Sequence, residues 1–170
     1  MAKVCVFLAE GFEEVEGLTV VDLLRRAGEE VLMVSIGTSL EVTGSHGIKV
    51  SADRLFEEVD YSDADMLVLP GGMPGTLHLG EHKGLTELLI KFNEADKKIA
   101  AICAAPGVFG ANGILKGRKA TCYPGCEEKL KGAVLSEEAV VRDKNVTTSR
   151  GVGTAIAFAL ELISQLEGEV

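Results

Sequence analysis

The sequence lacks the features that direct a chain to a membrane, to the cell exterior or to nucleic acid. Its longest uncharged run, residues 99–115, contains Pro106 and several glycines, so it does not predict a membrane span. The uncharged stretch between Lys3 and Glu10 is too short for the core of a signal peptide. Lys and Arg number 17 against 26 Asp and Glu, and an acidic surface with a net charge of −9 repels nucleic acid and anionic lipid. We therefore expect a cytoplasmic protein with no nucleic-acid or membrane partner.

The chain also lacks a disulfide framework, repeats and linkers. Its cysteines number 4 in 170 residues, at Cys5, Cys103, Cys122 and Cys126, and their spacing is not that of a disulfide-dense secreted domain. A reducing compartment fits this usage. The length predicts one domain over residues 1–170 with one large core.

Short apolar runs alternate with helical patterns along the whole chain. Strands are predicted over 4–9, 31–36, 66–69, 99–102, 119–122 and 146–148, a hairpin over 40–50, and helices over 13–26, 85–92, 106–112 and 154–166. The last helix is apolar on most of its surface, so we expect it to be buried. This alternation predicts an α/β fold, with a mostly parallel sheet covered by helices on both faces.

Cys103 stands where an apolar strand must turn into a helix. The residues around it are small, and Pro106 is typical of a first helical turn. Such a strand-to-helix corner is a nucleophile elbow, although the Gly-x-Ser-x-Gly signature of the hydrolases is absent. Backbone N–H groups and the helix dipole at the corner favour the thiolate, so we expect a reactive cysteine. The alternative is a buried and inert cysteine.

Two further segments follow strands and are expected to meet Cys103 at the carboxyl edge of the sheet. Gly71 and Gly72 let backbone approach a ligand closely, and their N–H groups are candidate oxyanion donors, the alternative being an ordinary turn. Glu16 and Glu13 continue the apolar stripe of the first helix, whereas Glu14 does not. A buried carboxyl beside a thiolate has a raised pKa and can carry a proton. The alternative, an acidic first turn that complements the helix dipole, accounts for Glu13 and Glu14.

Five segments together resemble the DJ-1/ThiJ/PfpI family along nearly the whole chain. They are Ala9-Glu-Gly-Phe-Glu-Glu-Val-Glu16, Val21-Asp-Leu-Leu-Arg-Arg-Ala-Gly28, Leu69-Pro-Gly-Gly72, Ala101-Ile-Cys-Ala104 and Thr148-Ser-Arg-Gly-Val-Gly-Thr154. The resemblance implies a flavodoxin-like three-layer sandwich, usually a homodimer. It also implies that Cys103 is the reactive thiol, that Glu16 rather than Glu13 is its carboxyl partner, and that the N–H groups of Gly72 and Ala104 form an oxyanion pocket.

The resemblance further implies chemistry on reactive carbonyls such as methylglyoxal and their adducts, of the glyoxalase or deglycase type. It also implies that the cysteine oxidises to sulfinate, as in the same subgroup of the family, and some relatives are proteases or chaperones. Two function classes therefore stay open, a carbonyl-processing enzyme and an oxidative-stress sensor or chaperone-like protein without turnover.

One departure from the family concerns histidine. Many members carry a histidine just after the strand that follows the elbow, and here Tyr123 stands at that position. All three histidines, His46, His78 and His82, precede Cys103, so a protease or amidotransferase triad is disfavoured. Thiolate addition to an aldehyde, with Glu16 moving the proton between two carbons, needs no histidine.

The remaining candidates are weaker. His46 lies in the hairpin turn, where the family often has an arginine that reaches the cysteine site, so it either lines the pocket or is a solvated turn residue. His78 and His82 are four residues apart but have no evident third ligand, and we expect no metal and no cofactor. Cys122 is either a resolving thiol for oxidised Cys103 or a packing residue.

Overall fold

A computed structural model describes residues 1–168 and contains eleven strands and five α-helices. The strands are β1 (Lys3–Leu8), β2 (Glu30–Ser35), β3 (Glu41–Thr43), β4 (Lys49–Ser51), β5 (Arg54–Leu55), β6 (Met66–Leu69), β7 (Lys98–Ile102), β8 (Lys119–Ala120), β9 (Val134–Leu135), β10 (Val140–Asp143) and β11 (Val146–Ser149). The helices are α1 (Glu14–Arg26), α2 (Gly75–Glu81), α3 (Lys83–Glu94), α4 (Pro106–Ala111) and α5 (Ala155–Glu167). Strand and helix alternate as the apolar pattern predicts.

Seven strands form the central sheet in the order β10-β11-β7-β6-β1-β2-β5. All neighbours are parallel except the β10–β11 pair at one edge. The registers bring Leu69 beside Ala101, and Ile102 beside Ser149, so β6, β7 and β11 end at the same edge. The segments that follow these strands are therefore neighbours in space.

Helices cover both faces of the sheet, which gives the expected three layers. Alternate strand residues point to opposite faces, so Val4 and Val6 pack with α1 and α5, whereas Cys5 and Phe7 pack with α2, α3 and α4. Two apolar cores result, one on each side of the sheet. The predicted α/β sandwich is confirmed.

Helix α1 carries Glu16, and neighbouring residues in the sequence determine where the helix begins and ends. The Glu13 carboxylate accepts a hydrogen bond from the N–H of Val15 at 3.0 Å and so caps the first turn. Gly28, with a φ of +89°, ends the helix in the left-handed region.

Three structural expectations need correction. Residues 119–122 do not join the main sheet, because the short strand β8 pairs with β9 in a separate two-stranded ladder. Helix α5 is not buried on most of its surface, because Ile156 and Leu160 are 63% and 55% exposed. Helix α2 was not predicted, since its sequence is short and contains Gly80. Within residues 1–168, no helix has the length and apolar content to cross a membrane.

Candidate active site

Cys103 occupies a left-handed turn directly after β7. Its φ is +67°, a conformation that non-glycine residues adopt rarely and at a cost of about 1–3 kcal/mol. Hydrogen bonds hold both sides of the residue: its N–H donates to the Ser149 carbonyl at 3.0 Å, and its carbonyl accepts from the N–H of Tyr123 at 2.8 Å. Helix α4 begins three residues later at Pro106. The predicted nucleophile elbow is present.

The diglycine turn after β6 lies against the cysteine. A Cβ atom on Gly71 would lie 2.5 Å from the Cβ of Cys103 and 2.6 Å from Oε1 of Glu16, so no larger residue fits there. The backbone N–H groups of Gly72 and Ala104 donate hydrogen bonds to the sulfur. These two groups are therefore placed to hold negative charge at the sulfur or on an atom bonded to it.

Glu16 contacts the cysteine from the first turn of α1. Its side chain is hydrogen-bonded to Cys103, its Oε1 accepts from the N–H of Gly71 at 3.1 Å, and the residue is 1% exposed. The pKa of Glu16 is raised from 4.5 to about 7, mainly by burial and to a smaller extent by the neighbouring charge of Glu13, while the hydrogen bonds with Cys103 and Gly71 act in the opposite direction. Because the Gly71 N–H is used by Glu16, the expectation that it serves as an oxyanion donor is wrong.

The expectation that the pKa of the Cys103 thiol is lowered is also wrong for the state in which Glu16 is ionised. Burial and repulsion by the Glu16 carboxylate raise the pKa of Cys103 to about 12, and the two backbone N–H groups offset only part of this. Protonation of Glu16 removes the repulsion and supplies a hydrogen-bond donor to the sulfur. The two groups therefore titrate as one unit that holds a single negative charge.

The sulfur opens into a cavity of about 530 Å³, and Cys103 is partly exposed there. The lining includes Glu13, Glu16, Tyr123, Arg150 and residues 151–154. Tyr123 is 52% exposed and stands at the predicted position beside the site. No histidine lines this cavity within residues 1–168. A Cys-His-acid triad is therefore not assembled here.

His46 lies outside the Cys103 cavity of its own chain. Its Nδ1 is 3.0 Å from Oε1 of Glu14 and 3.3 Å from Oε2 of Glu13, and its side chain is 68% exposed. The hydrogen bond to Glu14 raises the pKa of His46. Within one chain, His46 therefore reaches the site only through Glu13.

Glu14 has a larger structural role than its place in the first turn of α1 predicts. It is 3% exposed, and it accepts hydrogen bonds from the N–H groups of His46 and Ile48, at 2.8 and 3.2 Å, in the hairpin turn. Burial disfavours the charge, but hydrogen bonds from the backbone of Glu14 itself, from the His46 side chain and from these two N–H groups together outweigh burial and lower the pKa of Glu14 from 4.5 to about 2. Glu14 ties the β3–β4 hairpin to α1 rather than merely complementing the helix dipole.

Two groups of side chains have metal-ligand chemistry, namely Glu13 with Glu14 and His46, and the pair His78 and His82. Single ligand atoms of Glu13, Glu14 and His46 lie within 4.8 Å of one another, although mutual and backbone hydrogen bonds already occupy the Glu14 carboxylate. The Nδ1 of His82 accepts from the N–H of Leu85 at 3.0 Å and caps α3. This helix-capping role accounts for His82.

Cys122 is not placed to resolve oxidised Cys103. It is 2% exposed and packs in the core on the α2–α4 face, whereas Cys103 packs against the core on the α1–α5 face. The packing alternative is the correct one.

Fold and site together define a flavodoxin-like α/β protein with a cysteine on a nucleophile elbow and a buried carboxyl partner. The sequence model of the DJ-1/PfpI family matches residues 2–165. The chain belongs to the DJ-1/PfpI family.

Individual relatives agree with this assignment. Protein DJ-1 homolog A of Arabidopsis thaliana is 42% identical over 98% of the chain, which spans 43% of that longer protein. A deglycase of Pyrococcus abyssi is 34% identical over 97% of the chain and 99% of its own length. The structure of oxidized Toxoplasma gondii DJ-1 superimposes with a TM-score of 0.94 at 38% identity, over 98% of this chain and 91% of that one.

Proposed function

We propose that the protein acts on reactive carbonyls, namely 2-oxoaldehydes or their adducts, with Cys103 as nucleophile and Glu16 as proton carrier. The observation that carries this proposal is the direct hydrogen bond between a partly exposed thiol and a buried carboxyl of raised pKa, at the wall of an open cavity. The printed name of the Pyrococcus relative, a deglycase, supports the same class of substrate.

Each proposed step on methylglyoxal balances. The Cys103 sulfur bonds to the aldehyde carbon, and the carbonyl electron pair moves to oxygen, which takes a proton and gives a hemithioacetal. Ionised Glu16 removes the hydrogen on that carbon as a proton, and the resulting enediolate is held by the N–H groups of Gly72 and Ala104. Glu16 returns the proton to the adjacent carbon while the hydroxyl proton moves from the first oxygen to the second, which gives a lactoyl thioester on Cys103. Water then cleaves the thioester to release lactate and the thiol.

The test is lactate formation from methylglyoxal by the purified protein. Cys103→Ala removes the nucleophile and abolishes turnover, and Glu16→Gln lowers kcat by about 10²–10⁴-fold, the usual contribution of general acid–base catalysis. Cys126→Ser is the matched control, because this thiol does not line the Cys103 cavity. Absence of turnover by a folded protein, assayed on both methylglyoxal and a methylglyoxal-modified amine, contradicts the proposal.

A second candidate function is redox sensing, and the backbone N–H groups of Gly72 and Ala104 support it. They are placed to bind the oxygens of a Cys103 sulfinate, which forms when the thiolate consumes two equivalents of peroxide and releases two of water. Intact-mass measurement after mild peroxide treatment tests this function. A gain of two oxygens on Cys103 without any lactate formation favours the sensor, and an unmodified cysteine excludes it.

We also propose that the protein works as a homodimer. Ile156 and Leu160 lie one helical turn apart on α5 and are more than half exposed, and Val152 just before the helix is 50% exposed. A second copy of the chain covers this apolar face. Sedimentation velocity of wild type and Leu160→Lys tests the oligomeric state. A monomeric wild type at micromolar concentration refutes the homodimer.

The compartment that we propose is the cytoplasm. The described cysteines are all free, including the partly exposed Cys103 and Cys126, which is typical of a reducing environment. Fractionation of cells that express the tagged chain tests this, and recovery outside the cytoplasmic fraction contradicts it.

A further inference from the structure

Two cysteines that the proposed mechanism does not use stand on either side of one tight turn. The N–H of Cys126 donates to the carbonyl of Tyr123 at 3.0 Å, and Gly125 has a φ of +100°. Residues 123–126 therefore form a β-turn of the kind that takes glycine at its third position. Cys122 directly precedes this turn, and Cys126 is its last residue. The chain thus reverses direction between the two thiols.

The thiols of Cys122 and Cys126 are also close in space. The Cys122 thiol donates to the Tyr123 carbonyl oxygen at 3.4 Å, and this is the same oxygen that accepts from the Cys126 N–H. Both side chains pack in the apolar core on the α2–α4 face of the sheet. Burial, the charge of Glu127 and the charge of an ionised Cys126 raise the pKa of Cys122 to about 11, so the two sulfurs are near enough to interact electrostatically.

The two cysteines differ in their exposure to solvent. Cys126 is partly exposed, whereas Cys122 is 2% exposed. An oxidant in the surrounding water therefore reaches Cys126 first. Cys122 is not closely packed on every side, because it lines a cavity of about 290 Å³. Its side chain has room to rotate toward Cys126.

We propose that Cys122 and Cys126 form a reversible disulfide when hydrogen peroxide oxidises the protein. Peroxide transfers one oxygen to the Cys126 sulfur, which gives a sulfenic acid and one water. The Cys122 sulfur then bonds to the Cys126 sulfur, the S–O bond breaks, and the hydroxyl leaves as a second water with the proton of the Cys122 thiol. Each sulfur loses one electron, and the peroxide takes up both. This inference does not depend on the chemistry at Cys103.

The disulfide closes a ring around residues that form part of the wall of the Cys103 cavity. Tyr123 and Pro124 lie between the two cysteines and line that cavity. The N–H of Tyr123 also donates to the Cys103 carbonyl at 2.8 Å. Oxidation removes the hydrogen bond from the Cys122 thiol to the Tyr123 carbonyl, because a disulfide sulfur has no proton to donate. The state of the cysteine pair therefore acts on a turn that supports the candidate active site.

Peptide mapping after mild peroxide treatment tests the proposal. Free thiols are blocked with N-ethylmaleimide, and tryptic digestion then releases both cysteines of the pair in one peptide, residues 120–129, and Cys103 in another, residues 99–116. We expect the 120–129 peptide to lose two hydrogen atoms and to carry no N-ethylmaleimide, and dithiothreitol to restore both thiols.

Other products of the same treatment contradict the disulfide. An oxygenated Cys126 in place of the loss of two hydrogen atoms overturns the proposal. A cross-link from Cys122 or Cys126 to Cys103, which joins the two tryptic peptides, also overturns it, as does a disulfide between two chains.

Variants separate this pair from Cys103. Cys126→Ser abolishes the loss of two hydrogen atoms, and its partly exposed position keeps the test decisive if Cys122→Ser, in the core, does not fold. Cys103→Ala is the matched control, because it removes another partly exposed thiol and leaves the yield of the disulfide unchanged. A yield that falls in Cys103→Ala shows that oxidation passes through Cys103 and overturns the proposal. Because the mapping uses no carbonyl substrate, failure of the proposed carbonyl chemistry does not affect its result.

Discussion

Replacement of Glu16 by glutamine changes how the stability of the fold depends on pH. Glu16 is 1% exposed, and its pKa is raised from 4.5 to about 7 by burial. The folded protein therefore binds a proton more tightly than the unfolded chain does. This contribution to stability is fully present below about pH 4.5 and is lost as the pH rises through about 7.

The magnitude follows from the same values. One pKa unit corresponds to about 1.4 kcal/mol, so the interval from 4.5 to about 7 is worth about 3 kcal/mol of unfolding free energy. Glutamine keeps the acceptor for the Gly71 N–H but never ionises. Above pH 7, Glu16→Gln is therefore more stable than wild type by up to about 3 kcal/mol, and near pH 4.5 the two are nearly equal.

Urea unfolding followed by circular dichroism, at several pH values across this window, measures the effect. His46 titrates in both proteins, so the difference between them isolates Glu16. Glu94→Gln, at an exposed position of α3, is the matched control and runs parallel to wild type. Parallel pH profiles for wild type and Glu16→Gln would refute a buried, proton-binding carboxyl.

Three further substitutions test the surroundings of the site. Gly71→Ala places a Cβ 2.5 Å from that of Cys103 and destabilises by about 1–3 kcal/mol in urea unfolding, whereas Gly80→Ala, with its nearest neighbour at 3.8 Å, does not. Glu14→Gln weakens charge-assisted hydrogen bonds to the hairpin, so it destabilises by about 1–3 kcal/mol at neutral pH. This cost is fully present above about pH 4.5 and is lost as the pH falls through about 2, so an equal cost at pH 2 and pH 7 contradicts the assignment. Thr76→Val removes an unpartnered buried hydroxyl and raises the unfolding free energy by about 1 kcal/mol, and a loss of stability in thermal unfolding would refute that assignment.

The meeting of Cys103 with Glu16 follows from rules that act along the sequence. Buried parallel strands appear as short apolar runs, and the carboxyl ends of parallel strands share one edge of the sheet. The helical period places Glu16 on the inward stripe of α1. The alternation of strands and helices and these two positions were therefore predictable.

Contacts between distant segments were not predictable in the same way. Glu14 lies off the apolar stripe and is buried only because a hairpin turn 32 residues away donates hydrogen bonds to it. The exposed face of α5 carries Ile156 and Leu160, which are as apolar as the residues of its buried face, so periodicity did not separate the two faces. The raised pKa of Cys103 depends on burial and on the Glu16 charge, which a helix-dipole argument leaves out.

The hydrogen bond from the Gly71 N–H to Glu16 joins segments that are 55 residues apart, and Cys103 is bonded in turn to Ser149. No partly unfolded form that releases α1 or β11 retains the reactive centre. During heating, inactivation and loss of secondary structure should therefore coincide as one cooperative transition.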